Sequence, residues 1–182
     1  MGWLPSLFNI KIIEGKLMVK DYKEFYRKIS SPFRNDKGKK LITNWNQVIT
    51  GFIYLLYSFL LLDLITTNRE LILPFIFIPG ISFLSLSWVR SKLNYPRPYE
   101  IWDIQPLIIK ESKGNSFPSR HVFSASIIAM CALKVNLTLG IFGLFCSILL
   151  ACLRVIGGVH SPRDVMWGLV IGLLTGSLLF LF

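Results

Sequence analysis

Apolar residues in this chain come in runs long enough to cross a bilayer, and that decides what it can fold into. The runs lie at residues 48–67, 71–89, 119–134, 137–153 and 165–182. A membrane span needs about 20 apolar residues. Inside hydrocarbon, every backbone N–H and C=O must be satisfied by the protein itself, and helices do this one segment at a time. The expected fold is therefore an all-α, polytopic membrane bundle of about five spans. The run at 119–134 is the short one, roughly 23 Å at 1.5 Å per residue. It is expected to begin below the headgroups, in a cavity lined by protein. Pro74 and the Pro79-Gly80 pair are expected to kink the second span, because proline removes an internal hydrogen bond.

Charge divides the chain. It carries 20 Lys+Arg against 10 Asp+Glu, a formal net charge of +10. Such an excess suits nucleic acid or anionic lipid. Because the basic residues flank apolar runs, anionic lipid headgroups are the expected partner and nucleic acid is not. Residues 1–46 read as a basic amino-terminal segment and 47–182 as the membrane domain. Tyr22, Phe25, Tyr26 and Ile29 recur at helical spacing, with Lys23, Arg27 and Lys28 between them. That pattern makes an amphipathic helix with two possible homes, the headgroup layer or the protein's own surface. Residues 1–13 are interrupted by Pro5 and followed by no small-residue cleavage site, so they do not read as a signal peptide, and Met18 is an alternative start. Cys131, Cys146 and Cys152 form no Cys-x-x-Cys and are expected to be buried free thiols. Oligomeric state leaves no mark in the sequence.

Five spans put the amino terminus, the 90–120 loop and the 154–164 loop on one side. Only short turns at Asn68 and Asn136 face the other. Trp45, Trp88, Trp102 and Trp167 fall near the first side, as an aromatic belt would. The only two histidines, His121 and His160, also fall there, each inside a cluster that suits phosphate chemistry.

Ser161-Pro162-Arg163-Asp164 reads as a helix start, with Ser161 as N-cap and Asp164 at the third position. Asp164 is then within reach of the cap backbone or of the His160 ring. A carboxylate on one ring nitrogen fixes the tautomer and frees the other nitrogen to attack. Arg154 offers a planar fork to phosphate, and its bland alternative is a cation snorkelling at a helix end. Pro118-Ser119 reads as the cap of the third span, with Arg120 and His121 in its first turn, where free N–H groups favour an anion. His121 there is a candidate proton donor to a leaving oxygen. Arg90, Lys92 and Arg97 close the second span. They are either a positive flank or a clamp, and Pro96 and Pro98 hold Arg97 in the extended segment a clamp needs.

These clusters together resemble the type 2 phosphatidic acid phosphatase superfamily of membrane lipid-phosphate phosphatases. Its pattern, Lys-x6-Arg-Pro, Pro-Ser-x-His and Ser-Arg-x5-His-x3-Asp, appears here as Arg90-x6-Arg97-Pro98, Pro118-Ser119-Arg120-His121 and Leu153-Arg154-x5-His160-x3-Asp164. Two positions depart from it. Arg90 replaces the lysine, so a fork replaces a point charge, with Lys92 able to share the role. Leu153 replaces the serine and removes one phosphate hydrogen bond.

The resemblance implies hydrolysis of a lipid phosphate or diphosphate, of the undecaprenyl diphosphate, phosphatidic acid or phosphatidylglycerophosphate class. His160 would be the nucleophile and form a phosphohistidine, Asp164 would orient it, and His121 would be the acid and then the base. Arg90, Arg97, Ser119, Arg120 and Arg154 would hold the phosphoryl oxygens, with no metal and no cofactor. The alternatives are a lipid phosphotransferase and a non-catalytic lipid-binding or transport protein on the same fold. Relatives of this kind commonly place the site on the outer face, but the basic amino terminus leads us to expect a cell-membrane protein with its site on the cytoplasmic face.

Overall fold

The computed structural model describes residues 22–109 and 113–182. The amino-terminal expectations about a signal peptide and about Met18 fall on residues 1–21, outside the described residues. Residues 22–30 are helical (α1) and run into a 3-10 turn at Ser31–Phe33. Then follow α2 (Asp36–Thr67), a 3-10 turn (Arg69–Leu71), α3 (Ile72–Leu93), the short α4 (Pro98–Ile101), α5 (Arg120–Val135), α6 (Leu137–Ile156), α7 (Pro162–Ser177) and a closing 3-10 turn (Leu178–Leu181). The described residues contain no strand.

Among the described residues, four segments are long and apolar enough to cross a membrane, Asp36–Thr67, Arg69–Ile101, Leu137–Ile156 and Pro162–Leu181. The protein is a multi-pass membrane protein. Helix α5, at 16 residues, is the short fifth helix, and it is the core of the bundle. Ten of its residues are buried, against four of the 22 in α3. The apolar side chains of α3 instead point outward, Leu73, Phe77, Ile81, Leu84 and Trp88 among them. Lipid tails are as apolar as leucine, so such side chains gain nothing from the interior; close helix contact is left to small residues.

Glycines make that contact. Gly168, Gly172 and Gly176 repeat every four residues along one face of α7, against Ser119, Phe123, Ser126 and Met130 of the α5 segment. A Cβ at Gly168 would lie 2.6 Å from the Ser119 carbonyl oxygen. Gly140 and Gly143 do the same for α6 against Leu133 and Ala129. Asn136 alone links α5 to α6, and its side chain accepts from Leu139 N at 3.0 Å to cap the second helix.

Two expectations need correction, and one open alternative is decided. The first span does not start near residue 48. Helix α2 begins at Asp36, where the Asn35 side chain accepts from Gly38 N at 2.6 Å, and runs for 32 residues. That is about 48 Å at 1.5 Å per residue, well beyond a hydrocarbon core of about 30 Å. Hydropathy marks only the part in lipid, so the polar turns holding Lys37, Lys39 and Lys40 read as a separate segment although the helix is continuous. The 46/47 boundary lies inside it.

Second, α1 packs on the protein. Tyr26 is fully buried and its hydroxyl donates to Gln105 O at 3.3 Å. Tyr22 stacks on Trp102 with centroids 4.0 Å apart, so Trp102 is a packing residue, whereas Trp45, Trp88 and Trp167 are exposed. Third, the thiols are free, but Cys152 is exposed, facing outward from α6. Helix α3 continues through Pro79, while Pro74 falls in its first turn, where the N–H it lacks has no partner to lose.

Candidate active site

The site forms where α2, α5 and α7 begin and α3 and α6 end. Helix packing brings its parts together before any side chain acts. Ser119 N donates to Asp164 O at 2.8 Å, joining the start of α5 to the first turn of α7 directly through the backbone. The close approach at Gly168 permits that bond. His160 lies in the turn between α6 and α7, and its N–H and that of Val159 both donate to Arg154 O, at 3.4 and 3.3 Å. Gly158, at φ +76°, makes the turn; a side chain there would meet the Tyr26 hydroxyl. The buried tyrosine of α1 thus backs the turn that carries His160.

His160 and Asp164 are each 1% exposed. Asp164 does both things its position allows. Its Oδ2 accepts from Ser161 N at 3.0 Å, and its own N–H donates to Ser161 Oγ at 3.3 Å, closing a capping box. The same Oδ2 accepts from Ser116 Oγ at 2.7 Å and lies 3.6 Å from His160 Nδ1. Ser116 Oγ is 3.4 Å from that nitrogen. Since the serine gives its proton to the carboxylate, both oxygens near Nδ1 are acceptors. The ring proton therefore belongs on Nδ1 and the lone pair on Nε2. Burial pushes the His160 pKa below the ordinary imidazole range; the Asp164 hydrogen bond opposes that, and the Arg154 charge adds to it. That shift favours the neutral imidazole at pH 7.

A cavity of about 420 Å³ opens beside it, lined among others by Arg90, Arg97, Lys113, Arg120, His121 and His160. Among the described residues, no carboxylate lines it. Arg90, Arg97 and Arg154 are 7%, 3% and 3% exposed. Among the described residues the ion pairs are Lys23–Asp103, Lys28–Glu24 and His160–Asp164, so none of these three arginines has a carboxylate partner. Arg90 donates to the main-chain carbonyls of Asn115, Ser116 and Pro118, tying the loop before α5 to the end of α3. Arg97 donates to Val159 O at 3.2 Å, and its Nε has no partner. It sits in extended backbone (φ −82°, ψ 161°) between its prolines. Arg154 donates to Asn46 Oδ1 at 3.3 Å, while its Nε and Nη2 have no partner.

The remaining candidates divide. Ser119 occupies the N-cap of α5 but makes no side-chain cap bond, and its buried Oγ has no partner. Arg120 is exposed, with its guanidinium 5.4 Å from the centre of the Phe83 ring. Lys92 is exposed and lies outside the cavity lining.

Sequence reasoning passed over Ser116, Asn46 and Glu100. Glu100 Oε2 accepts from Arg97 N at 2.7 Å and Gly114 N at 2.9 Å, pinning the two sides of the loop. Only Ser116, two residues before Pro118-Ser119, carried a signal by proximity.

The PAP2 superfamily profile matches residues 71–182. No curated protein matches the chain. Among solved structures, LpxE from Aquifex aeolicus is 24% identical, with a TM-score of 0.70 over 87% of this chain and 94% of that one. A PAP2-type phosphatidylglycerolphosphate phosphatase from Bacillus subtilis is 22% identical, with a TM-score of 0.69 over 96% of this chain and 92% of that one. At these identities the two structures speak for the fold. The matched profile covers α3 to the carboxyl end, including all three clusters around the cavity, and the chain belongs to the PAP2 superfamily.

Proposed function

We propose that this protein is a metal-independent phosphatase of a lipid phosphate or diphosphate, working through a phosphohistidine. The observation that carries the reading is the group of three buried arginines without carboxylate partners beside a neutral, carboxylate-oriented histidine. An uncompensated buried charge is strongly destabilising; Arg90 and Arg97 line the cavity, and buried Arg154 keeps two unpartnered nitrogens, an arrangement that suits an anion. The two neighbours of the same fold are, by their own descriptions, LpxE and a phosphatidylglycerolphosphate phosphatase, which supports a lipid-linked phosphate over a soluble one.

In this mechanism the Nε2 lone pair of His160 attacks phosphorus. The P–O bond to the lipid breaks, and protonated His121 gives its proton to the departing oxygen. His121 then takes a proton from water, that water attacks the phosphohistidine, and the P–N bond breaks to release phosphate. Arg90, Arg97, Arg120, Arg154 and Ser119 stabilise the charge on the phosphoryl oxygens. This electrostatic stabilisation is the part a metal would otherwise play, and no three His, Cys, Asp or Glu converge among the described residues.

A cleft of about 300 Å³ between α2, α3 and α5, lined by Tyr57, Gly80, Phe83 and Ile127, lies one turn deeper along the helices that carry the site. Phe83 lies against Arg120 at its upper end. We place the lipid tail there and the headgroup at the interface. The site faces the cytoplasm in this reading: Lys37, Lys39 and Lys40 crowd the site end of α2, while Arg69 and Lys134 flank the opposite turns.

Purified protein offered a panel of lipid mono- and diphosphates should release orthophosphate, and EDTA should not slow it. No release from any member would overturn the phosphatase reading; transfer to a second lipid in place of release would replace it with a phosphotransferase. Single cysteines at positions 68 and 113 in a cysteine-free background test the sidedness. In intact cells, impermeant maleimide should label position 68 and not 113.

A further inference from the structure

We propose that Asn46 of α2 is a positioning residue that anchors Arg154 through a neutral acceptor, leaving the arginine's full charge and its Nε and Nη2 groups for the phosphoryl oxygens. This rests on the phosphatase reading above. Asn46 lies outside the stretch matched by the family profile, and no motif in the sequence points to it.

The seam that α2 turns inward is Gly38, Ile42, Asn46, Ile49, Ile53, Leu56, Leu60 and Leu64, at steps of three or four. Asn46 is the one polar side chain in it, and it is 9% exposed. A buried amide in an apolar seam is costly unless it is hydrogen-bonded. Its Oδ1 accepts from Arg154 Nη1 at 3.3 Å, 108 residues away in sequence. Arg154 has five N–H groups, and it is 3% exposed with two of its nitrogens unpartnered. One end of the fork is held and the rest is open. Its main-chain carbonyl accepts from His160 N at 3.4 Å, so the two residues are neighbours in the turn before α7.

The chemistry of the anchor matters. A carboxylate at position 46 would hold the same guanidinium more tightly, but it would neutralise the charge and compete with phosphate for the remaining N–H groups. An amide orients without neutralising. A leucine would fill the volume and leave the arginine unanchored.

The test is orthophosphate affinity of the detergent-purified protein, by calorimetry or thermal shift, alongside kcat/KM on a lipid phosphate. Asn46→Leu should weaken orthophosphate binding roughly tenfold, the size expected of one hydrogen bond to a charged group. Asn46→Asp should weaken it at least as much, although it keeps the acceptor and its thermal midpoint without ligand should not fall. In an Arg154→Ala background, Asn46→Leu should cost less than about twofold further in kcat/KM, because residues acting through one contact do not add. Unchanged affinity in Asn46→Leu, wild-type affinity in Asn46→Asp, or additive losses would each overturn the assignment while leaving the phosphatase reading intact. A wild-type protein that neither binds orthophosphate nor hydrolyses any lipid phosphate would overturn both.

Discussion

The two ends of this bundle treat charge in opposite ways. At the end with the cavity, Arg90, Arg97, Arg154, His160 and Asp164 are all buried. At the other end, Asn68, Arg69 and Glu70 are exposed, and half-buried Lys134 lies 5.6 Å from the Phe180 ring centre. The same helices supply both ends, so hydropathy does not explain the difference. Charges at an ordinary helix end snorkel to water and settle the orientation in the bilayer. Arginines drawn inward here meet main-chain and amide oxygens but no carboxylate, which leaves their charge for the anion proposed above.

The largest effect should come from His160, the proposed nucleophile. His160→Ala should lower turnover by about 10⁴-fold or more, the scale seen when a catalytic unit loses its nucleophile, and should abolish acid-labile labelling of the protein by a radiolabelled phosphate substrate. His121→Ala should lose about 10²–10⁴-fold, as removal of a general acid does. Near-normal rates in purified His160→Ala would erase the contrast between the two ends as far as catalysis is concerned.

Next in size is the packing that assembles the site. Gly172→Leu drives a side chain into Phe123 O and Ser126 on α5. It should destabilise the protein by about 1–3 kcal/mol, the cost of overpacking, and lower activity through Ser119 and Asp164, which that helix pair aligns. Thermal unfolding in detergent with a parallel rate assay reads both. Unaltered stability would mean that α5 and α7 approach less closely than the glycine stripe requires.

A matched pair of arginines sharpens the comparison directly. Arg90→Ala should reduce kcat/KM by at least tenfold, since a hydrogen bond to a charged group contributes about 1.5–3 kcal/mol. Arg69→Ala at the far end should leave it within about twofold. Arg90→Lys, the residue of the family pattern, should retain substantial activity, provided a single ammonium can replace a fork that spans three carbonyls. Equal losses in Arg90→Ala and Arg69→Ala would reduce Arg90 to a membrane flank.

The smallest effect concerns pH. His160 has its pKa lowered by burial, so in the folded protein it stays neutral as pH falls through the imidazole range. In the unfolded chain it takes up a proton near pH 6.5. Unfolding then gains protons, and stability falls as pH drops below that point, by about 1 kcal/mol over the first unit. His160→Asn should lose less stability than wild type between pH 6.5 and 5.5, seen as a smaller drop in unfolding temperature. Parallel curves would mean that the ring titrates in the native state as it does in the unfolded chain.

The sequence alone determined the class of fold and the family, and it supplied the residues of the proposed chemistry. Apolar run length imposes helices, because a bilayer tolerates little else. Three clusters at short, fixed spacing are legible because each sits within one or two helix turns, where local geometry places the residues. Asp164 beside His160 is such a case, and so is Arg97 between two prolines. What the sequence did not carry was long-range. Hydropathy stops where lipid stops, so the polar first turns of α2 were separated from their own helix. The amphipathic pattern of α1 fits lipid or protein equally, and only the packing of Tyr26 and Tyr22 decides between them.

Tertiary structure alone decided which polar groups share a cavity. Ser116 reaches Asp164 from 48 residues away and Asn46 reaches Arg154 from 108. No periodicity or spacing encodes either contact. The first follows from the close packing of α7 on α5 that the glycines of α7 permit, and the second from the packing of α2 on α6.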